Sequence, residues 1–377
     1  MTPPPPPPAV VSPAVIQESR ILLAIIGGLI CLLGLGILCG GGFGVTMLAT
    51  MPFAKFTPPE VAEEERAALE ALTQAVHRFQ PLIAPAVVSA AVSCLTASAA
   101  LIWLGIGTIQ GRRWARKLLL AAGWGWCGSV ALQFIGFLSM LPALMTWVES
   151  IAIPGPGGAP GTGSVAFSMA IQVVMNLISY AMSATPGVAL IVLFSLRNVR
   201  LTCEQLDPGP NWTDRIPIEV LPLFLTLAVW SLQALTALPL IPGLVTLLPP
   251  ELGWNGAAVL SAGLTVALLV TLSTWLVARM NPIGWWVLCA GTIVGTGLIC
   301  LAHLRSDFPA IFRAALNLIP MPEAERAKFE QDLPPGMMEN FGSFLQSCWV
   351  VVAVTGAAFL GYLGWIKRHF EPEAVRS

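Results

Sequence analysis

Long apolar runs dominate the chain, and polar residues are gathered between them. Eight runs each approach or exceed the roughly 20 residues that a helix needs to cross the hydrocarbon core of a bilayer. The runs are continuous, whereas the strands of a membrane barrel alternate apolar and polar residues. Lipid offers the backbone no hydrogen-bond partner, so helices are predicted. The predicted spans cover residues 21–47, 83–109, 118–146, 167–196, 218–240, 256–278, 283–303 and 343–366.

Two polar stretches between the spans carry a helical pattern. In residues 57–80 the apolar positions recur at helical spacing behind Thr57, which can cap a helix start. Residues 304–342 contain two shorter stretches of the same kind. Both regions are predicted to form amphipathic extracytoplasmic helices. They either bind another membrane or periplasmic protein or simply rest on lipid headgroups.

Proline and glycine add two local predictions. Residues 1–20 include six consecutive prolines and are predicted to form a disordered tail. Gly36, Gly40 and Gly44 recur every fourth residue in the first span. Such spacing lets helices approach closely, and packing inside the bundle is the expected use.

Composition excludes whole classes of protein. Hydrophobic residues make up 56% and charged residues only 10% of the 377, against about 25% charged in ordinary soluble domains. No basic excess exists to bind nucleic acid. The eight cysteines include no CxxC pair, so neither a metal site nor another cofactor is predicted. The expected fold is an all-α polytopic membrane bundle of eight transmembrane helices.

Lysine and arginine are distributed unevenly between the two sides of the predicted spans. Of the 19, 12 fall on the side that holds both chain ends, and 7 fall on the other. Cytoplasmic loops carry an excess of these residues. The pattern predicts a multi-pass protein with both termini in the cytoplasm and residues 367–377 as a cytoplasmic tail.

The two halves of the chain resemble each other weakly. A shift of 169 residues places GRRWARKLLLAA (111–122) on MNPIGWWVLCAG (280–291), and Glu204 on Glu373. Four spans in each half predict a parallel repeat, with a first half at 21–205 and a second at 206–366. The alternative is a chance match, because apolar spans with cytoplasmic ends always align somewhere.

The GRRWAR turn, together with RNVRLTCEQLDP (197–208), resembles uncharacterised bacterial polytopic inner-membrane proteins. The resemblance implies a location in the bacterial inner membrane. It carries no activity.

Span four contains the clearest polar pattern inside the membrane. Gln172, Asn176 and Tyr180 recur every fourth residue, and Ser183 lies on the same face. Pro186 is expected to interrupt the helix just beyond them. This face is a candidate site for a neutral or zwitterionic small molecule or a lipid headgroup. Gln133, Gln233 and Gln346 of other spans could join it if their faces converge. The alternative is hydrogen bonding between helices.

A second candidate site is the basic turn between spans two and three. Arg112, Arg113, Arg116 and Lys117 are suited to contact anionic lipid. The alternative is that these residues only anchor the topology.

The functional prediction depends largely on the absence of charged residues from the span centres and of catalytic motifs from the sequence. No span carries Asp, Glu, Lys or Arg at its centre, which disfavours proton-coupled transport and ion conduction. No recognised catalytic motif is present, so an enzyme is disfavoured. The expected role is a non-catalytic scaffold or a lipid- or partner-binding membrane protein. The alternative is a permease, or a lipid-moving protein, for a neutral or zwitterionic molecule.

Overall fold

The structure, a computed structural model, describes residues 13–50, 63–151, 162–241, 256–305 and 337–370. Within these residues the chain is helical and contains no strand. Short 3-10 helices follow α5, α6 and α9. The α-helices are α1 (Pro13–Thr50), α2 (Glu63–Ile109), α3 (Arg113–Ile151), α4 (Thr162–Ser195), α5 (Arg197–Leu206), α6 (Leu221–Ala237), α7 (Gly256–Ala278), α8 (Pro282–Arg305) and α9 (Met337–Ile366).

Eight of these helices are long and apolar enough to cross a membrane, and they correspond to the eight predicted spans. The exception is α5, which has 10 residues and buries only one face, through Val199, Thr202 and Cys203. The chain is therefore a polytopic helical membrane protein, as predicted.

The ends of the described chain are more ordered than predicted. Residues 13–20 belong to α1 rather than to a disordered tail; residues 1–12 lie outside the described residues. Pro13 suits the first position of a helix, because its missing N–H would have no partner there. At the other end, residues 367–370 form a helical turn that buries Phe370, which a solvated tail would not do.

The predicted outer helices are only partly described. Helix α2 begins at Glu63 and continues into the second span, so the helix predicted at 57–80 is not a separate element. The helix runs through Pro81, because in a membrane helix neighbouring groups can compensate for the hydrogen bond that a proline removes. Thr57 lies outside the described residues, as does most of 304–342. The partner contacts expected of both regions stay predictions.

Helix α3 lies at the centre of the bundle. It packs against α2, α4, α5, α6 and α9. Helices α1 and α2 form a closely packed pair, and α6, α7, α8 and α9 pack in sequence. The central position of α3 places its side chains between the first and second halves of the chain.

The largest buried cluster lies at one end of the bundle. We call this the basic end; α2 joins α3 there through residues 110–112, and α7 joins α8 through 279–281. The Tyr362 hydroxyl donates to the Glu219 backbone carbonyl at 2.7 Å, which ties α9 to the start of α6. Side chains from α3, α6, α7, α8 and α9 contribute to the cluster, among them Leu118, Val220, Leu221, Leu227, Val277, Trp285, Leu363 and Ile366.

The two connections at the basic end share one backbone geometry. Gly111 (φ 66°) and Met280 (φ 53°) are the two residues with positive φ in the described part of the chain. Each follows its helix end in the left-handed conformation common at helix C-termini. Both turns contain the same three backbone hydrogen bonds from an N–H to a carbonyl. In the first turn they run from Gln110 to Ile106, from Gly111 to Thr108 and from Arg112 to Gly107. In the second turn they run from Arg279 to Trp275, from Met280 to Val277 and from Asn281 to Leu276.

The close packing of α1 on α2 uses other glycines than predicted. A Cβ atom at Gly27 would lie 2.6 Å from the Gly105 carbonyl oxygen, and the Ser98 hydroxyl donates to the Gly34 carbonyl at 2.6 Å. Around Gly36, Gly40 and Gly44, in contrast, a Cβ atom would meet no described atom within 4 Å. The expectation that internal packing explains that stripe was wrong, because the helix turns a different face toward α2.

Candidate functional site

The predicted polar face of α4 does not act as one surface. Gln172 and Ser183 are exposed, whereas Asn176 and Tyr180 are half-buried. The Tyr180 ring packs against Phe134 and Phe137 of α3, with ring centroids 5.6 and 5.8 Å away. Of the four residues, Tyr180 alone lines a cavity among the described residues.

Pro186 does not interrupt α4, contrary to the prediction. The helix is continuous from Thr162 to Ser195. The Trp126 indole N–H of α3 donates to the Ser183 carbonyl at 2.6 Å, and the Thr185 hydroxyl donates to the Ala181 carbonyl at 3.0 Å. Side chains thus donate to the carbonyls on either side of Met182, the residue whose carbonyl loses its usual N–H donor to the proline.

A cavity of about 580 Å³ lies between α3, α4 and α9. It is far from the basic end, because its α3 residues begin 16 positions after Arg113, the first residue of that helix. It also lies where the first half of the chain meets the second. Its lining consists of Ser129, Leu132, Gln133, Gly136, Phe137, Met140, Tyr180, Val351 and Thr355.

Four of the lining residues are polar, and none is Asp, Glu, Lys, Arg or His. The Gln133 amide N–H donates to the Ser129 hydroxyl at 3.3 Å. The Thr355 hydroxyl donates to the Val351 carbonyl at 2.7 Å, within its own helix. The sequence indicated Gln133 and Tyr180, but Ser129 and Thr355 were missed. The spacing of Ser129 and Gln133, four residues apart on one helix face, was the available signal.

Of the other two candidate glutamines, Gln233 does not join this lining. Gln233 is exposed on α6. The side chain of Gln346 lies outside the part of the structure that can be described. Among the glutamine side chains that the structure describes, Gln133 alone lines the cavity.

At the basic end, residues 207–215 fold back onto the first turn of α3. We call this segment the clasp. Asp207 accepts the backbone N–H of Arg113 at 3.1 Å, which caps α3, and it lies 3.6 Å from the Arg112 guanidinium. The Asn211 amide also donates to Asp207, at 3.0 Å. A carboxylate at a helix N-terminus is favoured by both the exposed N–H groups and the helix dipole.

Asp214 forms the second anchor of the clasp. It pairs with Lys117 through a short hydrogen bond and with Arg113 at 3.4 Å. It also accepts the backbone N–H of Asn211 at 3.0 Å. Burial alone would raise the pKa of Asp214, but the hydrogen bonds from Lys117 and Asn211, together with the charges of Lys117 and Arg113, lower it overall.

Arg116 is directed inward rather than toward the clasp. Its Nε donates to the backbone carbonyl of Phe194, at the end of α4, at 3.0 Å. Cys203 of α5 lies close by, and its burial raises the pKa of the thiol to about 11. All four residues predicted to contact anionic lipid thus have partners within the chain. Lipid contact there stays a prediction.

No group of three His, Cys, Asp or Glu side chains that could hold a metal ion lies within the described ranges. The basic end thus contains ion pairs and a helix cap, and the opposite half of the bundle contains an uncharged cavity. Among protein-family models, curated proteins and solved structures, none matches this chain.

Proposed function

We propose that this chain is a non-catalytic integral membrane protein that binds a membrane lipid in the cavity between α3, α4 and α9. The observation that carries the proposal is the cavity lining, which combines apolar side chains with uncharged polar groups inside the membrane-spanning helices. Its volume of about 580 Å³ lies within the range typical of small-molecule sites, roughly 300–1,000 Å³.

Exposure of the lining residues supports entry from the side. Ser129 and Gln133 both line the cavity, and both are exposed within the membrane span Arg113–Pro142. A side chain exposed on the outside of a bundle at that depth faces lipid. A lipid can therefore reach the cavity without first leaving the bilayer.

Filling the cavity tests this function. The full chain is purified in lipid nanodiscs, and the lipid that it retains after transfer to detergent is measured by native mass spectrometry. Ser129→Phe should remove the retained lipid, because the larger ring occupies the cavity. Ser261→Phe is the matched control, since Ser261 is an exposed serine of α7 outside the lining. Equal retention by both variants would contradict the proposal.

We also propose that the membrane part is a parallel repeat of two four-helix halves. The shared turn geometry around Gly111 and Met280 supports it. A second correspondence has the same register of 169 residues: Arg116 Nε donates to the Phe194 carbonyl, and Trp285 Nε1 donates to the Leu363 carbonyl at 2.8 Å. Glu373, expected to match Glu204, lies outside the described residues.

The arrangement of the halves favours a second function, movement of a lipid or of a neutral or zwitterionic molecule across the membrane. Parallel repeats are a known transporter architecture, with sites at the repeat interface. The cavity lies where α3 contacts α9, and this supports a site between the two proposed halves. Proteoliposomes containing a fluorescent glucosylceramide, whose headgroup is uncharged like the cavity lining, test it. Dithionite quenches the fluorescence of lipid in the outer leaflet, which is about half of the total. It should quench more than this half only if the protein moves lipid, and Ser129→Phe should abolish the additional quenching.

We place the protein in a bacterial inner membrane with the basic end in the cytoplasm. The excess of Lys and Arg on that side and the resemblance of the GRRWAR turn support this orientation. A reporter enzyme fused after Ser377 should be active only in its cytoplasmic form. Activity of a periplasmic reporter there would contradict the orientation.

A further inference from the structure

The charge of the cavity limits which lipids it suits. Its polar members are Ser129, Gln133, Tyr180 and Thr355, all uncharged at neutral pH. A phosphate, carboxylate or ammonium group placed among them would lose its hydration and gain no opposite charge. Burying an unpaired charge is strongly unfavourable. The lining therefore favours an uncharged headgroup.

Several of the polar side chains retain unused hydrogen-bonding capacity, and Tyr180 and Gln133 retain the most. The Tyr180 hydroxyl makes no hydrogen bond within the described residues, although its ring is held against Phe134 and Phe137. The Gln133 amide nitrogen donates to Ser129, and the Gln133 carbonyl oxygen accepts no hydrogen bond within the described part of the chain. The Thr355 hydroxyl is already used by its own helix. A ligand can therefore gain most from Tyr180 and Gln133.

A hydroxyl group matches both of these side chains. It can accept a hydrogen bond from Tyr180 while it donates one to the carbonyl oxygen of Gln133. If the Gln133 amide is rotated by half a turn, the same hydroxyl accepts from the amide nitrogen and donates to Tyr180. A ketone or an ester can accept from Tyr180 and from the Gln133 N–H, but it cannot donate, so it would leave the Gln133 carbonyl oxygen without a donor.

The depth of the cavity in the membrane also favours an uncharged hydroxyl headgroup. At 1.5 Å per residue, Ser129 and Gln133 lie about 24–30 Å along α3 from Arg113, within the membrane span. Phe137 and Met140 lie further along and separate them from the opposite membrane surface. A headgroup that reaches Gln133 must enter hydrocarbon. A hydroxyl does so far more readily than a charged group.

We infer that the cavity binds an uncharged amphiphile with a hydroxyl headgroup, such as a long-chain alcohol or a diacylglycerol, and that Tyr180 and Gln133 hold the hydroxyl. The ligand comes from the membrane leaflet opposite the basic end. This inference rests on the proposed lipid-binding function and names the class of lipid.

Photolabelling tests the inference. The full chain in phosphatidylcholine nanodiscs is labelled with a long-chain primary alcohol that carries a diazirine, and labelled peptides are identified by mass spectrometry. Label is expected on α3 and α9 near Ser129 and Thr355. Unlabelled alcohol or diacylglycerol should compete, whereas the acid or the alkane of equal chain length should not. Tyr180→Phe and Gln133→Leu should each reduce labelling roughly fivefold, the expected loss for one hydrogen bond.

The controls separate the two proposals. Thr185→Val removes a hydroxyl on the same helix outside the cavity and should label as the unchanged protein does. If the acid or the alkane competes as well as the alcohol, or if Tyr180→Phe and Gln133→Leu have no effect, the hydroxyl inference falls while lipid binding stands. If no probe labels the cavity and no lipid is retained, both proposals fall.

Discussion

Gly187 and Gly356 lie 169 positions apart and occupy equivalent points of close contact between helices. A Cβ atom at Gly187 of α4 would lie 2.7 Å from the sulfur of Cys127 on α3. A Cβ atom at Gly356 of α9 would lie 2.5 Å from the hydroxyl oxygen of Thr296 on α8. Cys127 and Thr296 are themselves 169 positions apart. Glycine is thus required where each helix pair approaches most closely, as is common in membrane helix packing.

Gly356→Ala should lower the free energy of unfolding by about 1–3 kcal/mol, because the new methyl group overlaps Thr296. Thr296→Ala should restore most of the loss, since it removes the overlapping atoms. Gly361→Ala, on the same helix, should have little effect, because nothing described lies within 4 Å of its Cβ position. Thermal unfolding in detergent measures all three. A similar loss at Gly361 would contradict the packing explanation.

Gly187→Ala should be only partly rescued by Cys127→Ala. The Cys127 sulfur would be removed, but the backbone carbonyl of Gly123 would still lie 3.1 Å from the new Cβ atom. A substitution cannot remove the backbone atoms of Gly123, so α4 must shift to make room for the new methyl group. The same unfolding measurement should show incomplete recovery. Full recovery would mean that the α3–α4 contact is looser than the structure describes.

The spans could be predicted from sequence because hydropathy and length alone determine whether a helix suits a bilayer. The rotation of each helix could not. Lipid-facing and partner-facing residues are equally apolar, so Gly34 and Gly36 look alike in sequence although only Gly34 packs against α2. Gln172 was misassigned to a shared polar face for the same reason: spacing places residues on one face without saying what that face contacts.

The clasp was missed for a different reason. The basic residues of the turn were evident, but their partners Asp207 and Asp214 follow Arg113 by about a hundred positions. The clasp reaches the first turn of α3 only because α4 ends at the basic end. The sequence does not show which distant residues meet in the fold, so it could not show that these cations are paired with Asp207 and Asp214.

The two tyrosines of the chain provide a matched pair for stability. Tyr362→Phe should lower the free energy of unfolding by about 1 kcal/mol, because the Glu219 carbonyl loses its donor. Tyr180→Phe should leave stability unchanged, since its hydroxyl has no partner among the described residues. Denaturant titration followed by circular dichroism measures both. Equal losses would show that the Tyr180 hydroxyl is also engaged in the free protein.

Asp214 should make stability depend on pH under acidic conditions. Its pKa is lower in the folded chain than in the unfolded one. Its contribution is therefore complete above the unfolded value and is lost as the pH falls through the folded value. Asp214→Asn should lower stability by about 1–2 kcal/mol at pH 7 and flatten the decline in stability that begins as the pH falls below the unfolded pKa of about 4. Glu204→Gln, which breaks an exposed ion pair with Arg200, should change little. An unaltered acid decline in Asp214→Asn would contradict the assignment.

Cys203 reports whether the clasp is closed. Burial raises the pKa of its thiol to about 11; Arg116 opposes this shift, and the carboxylates of Asp207 and Glu204 add to it. The thiolate is the reactive form, so at pH 8 alkylation should be about a hundredfold slower than for an exposed cysteine with an ordinary pKa. Asp207→Ala removes the cap of α3 and a carboxylate that raises the pKa of Cys203, so it should speed the labelling of Cys203 both by loosening α5 and by favouring the thiolate. Arg215→Gln, at an exposed position in the clasp, should not change the rate. Iodoacetamide labelling followed by peptide mass spectrometry measures the rates, and fast labelling of the unchanged protein would show that α5 opens freely without any change to the clasp.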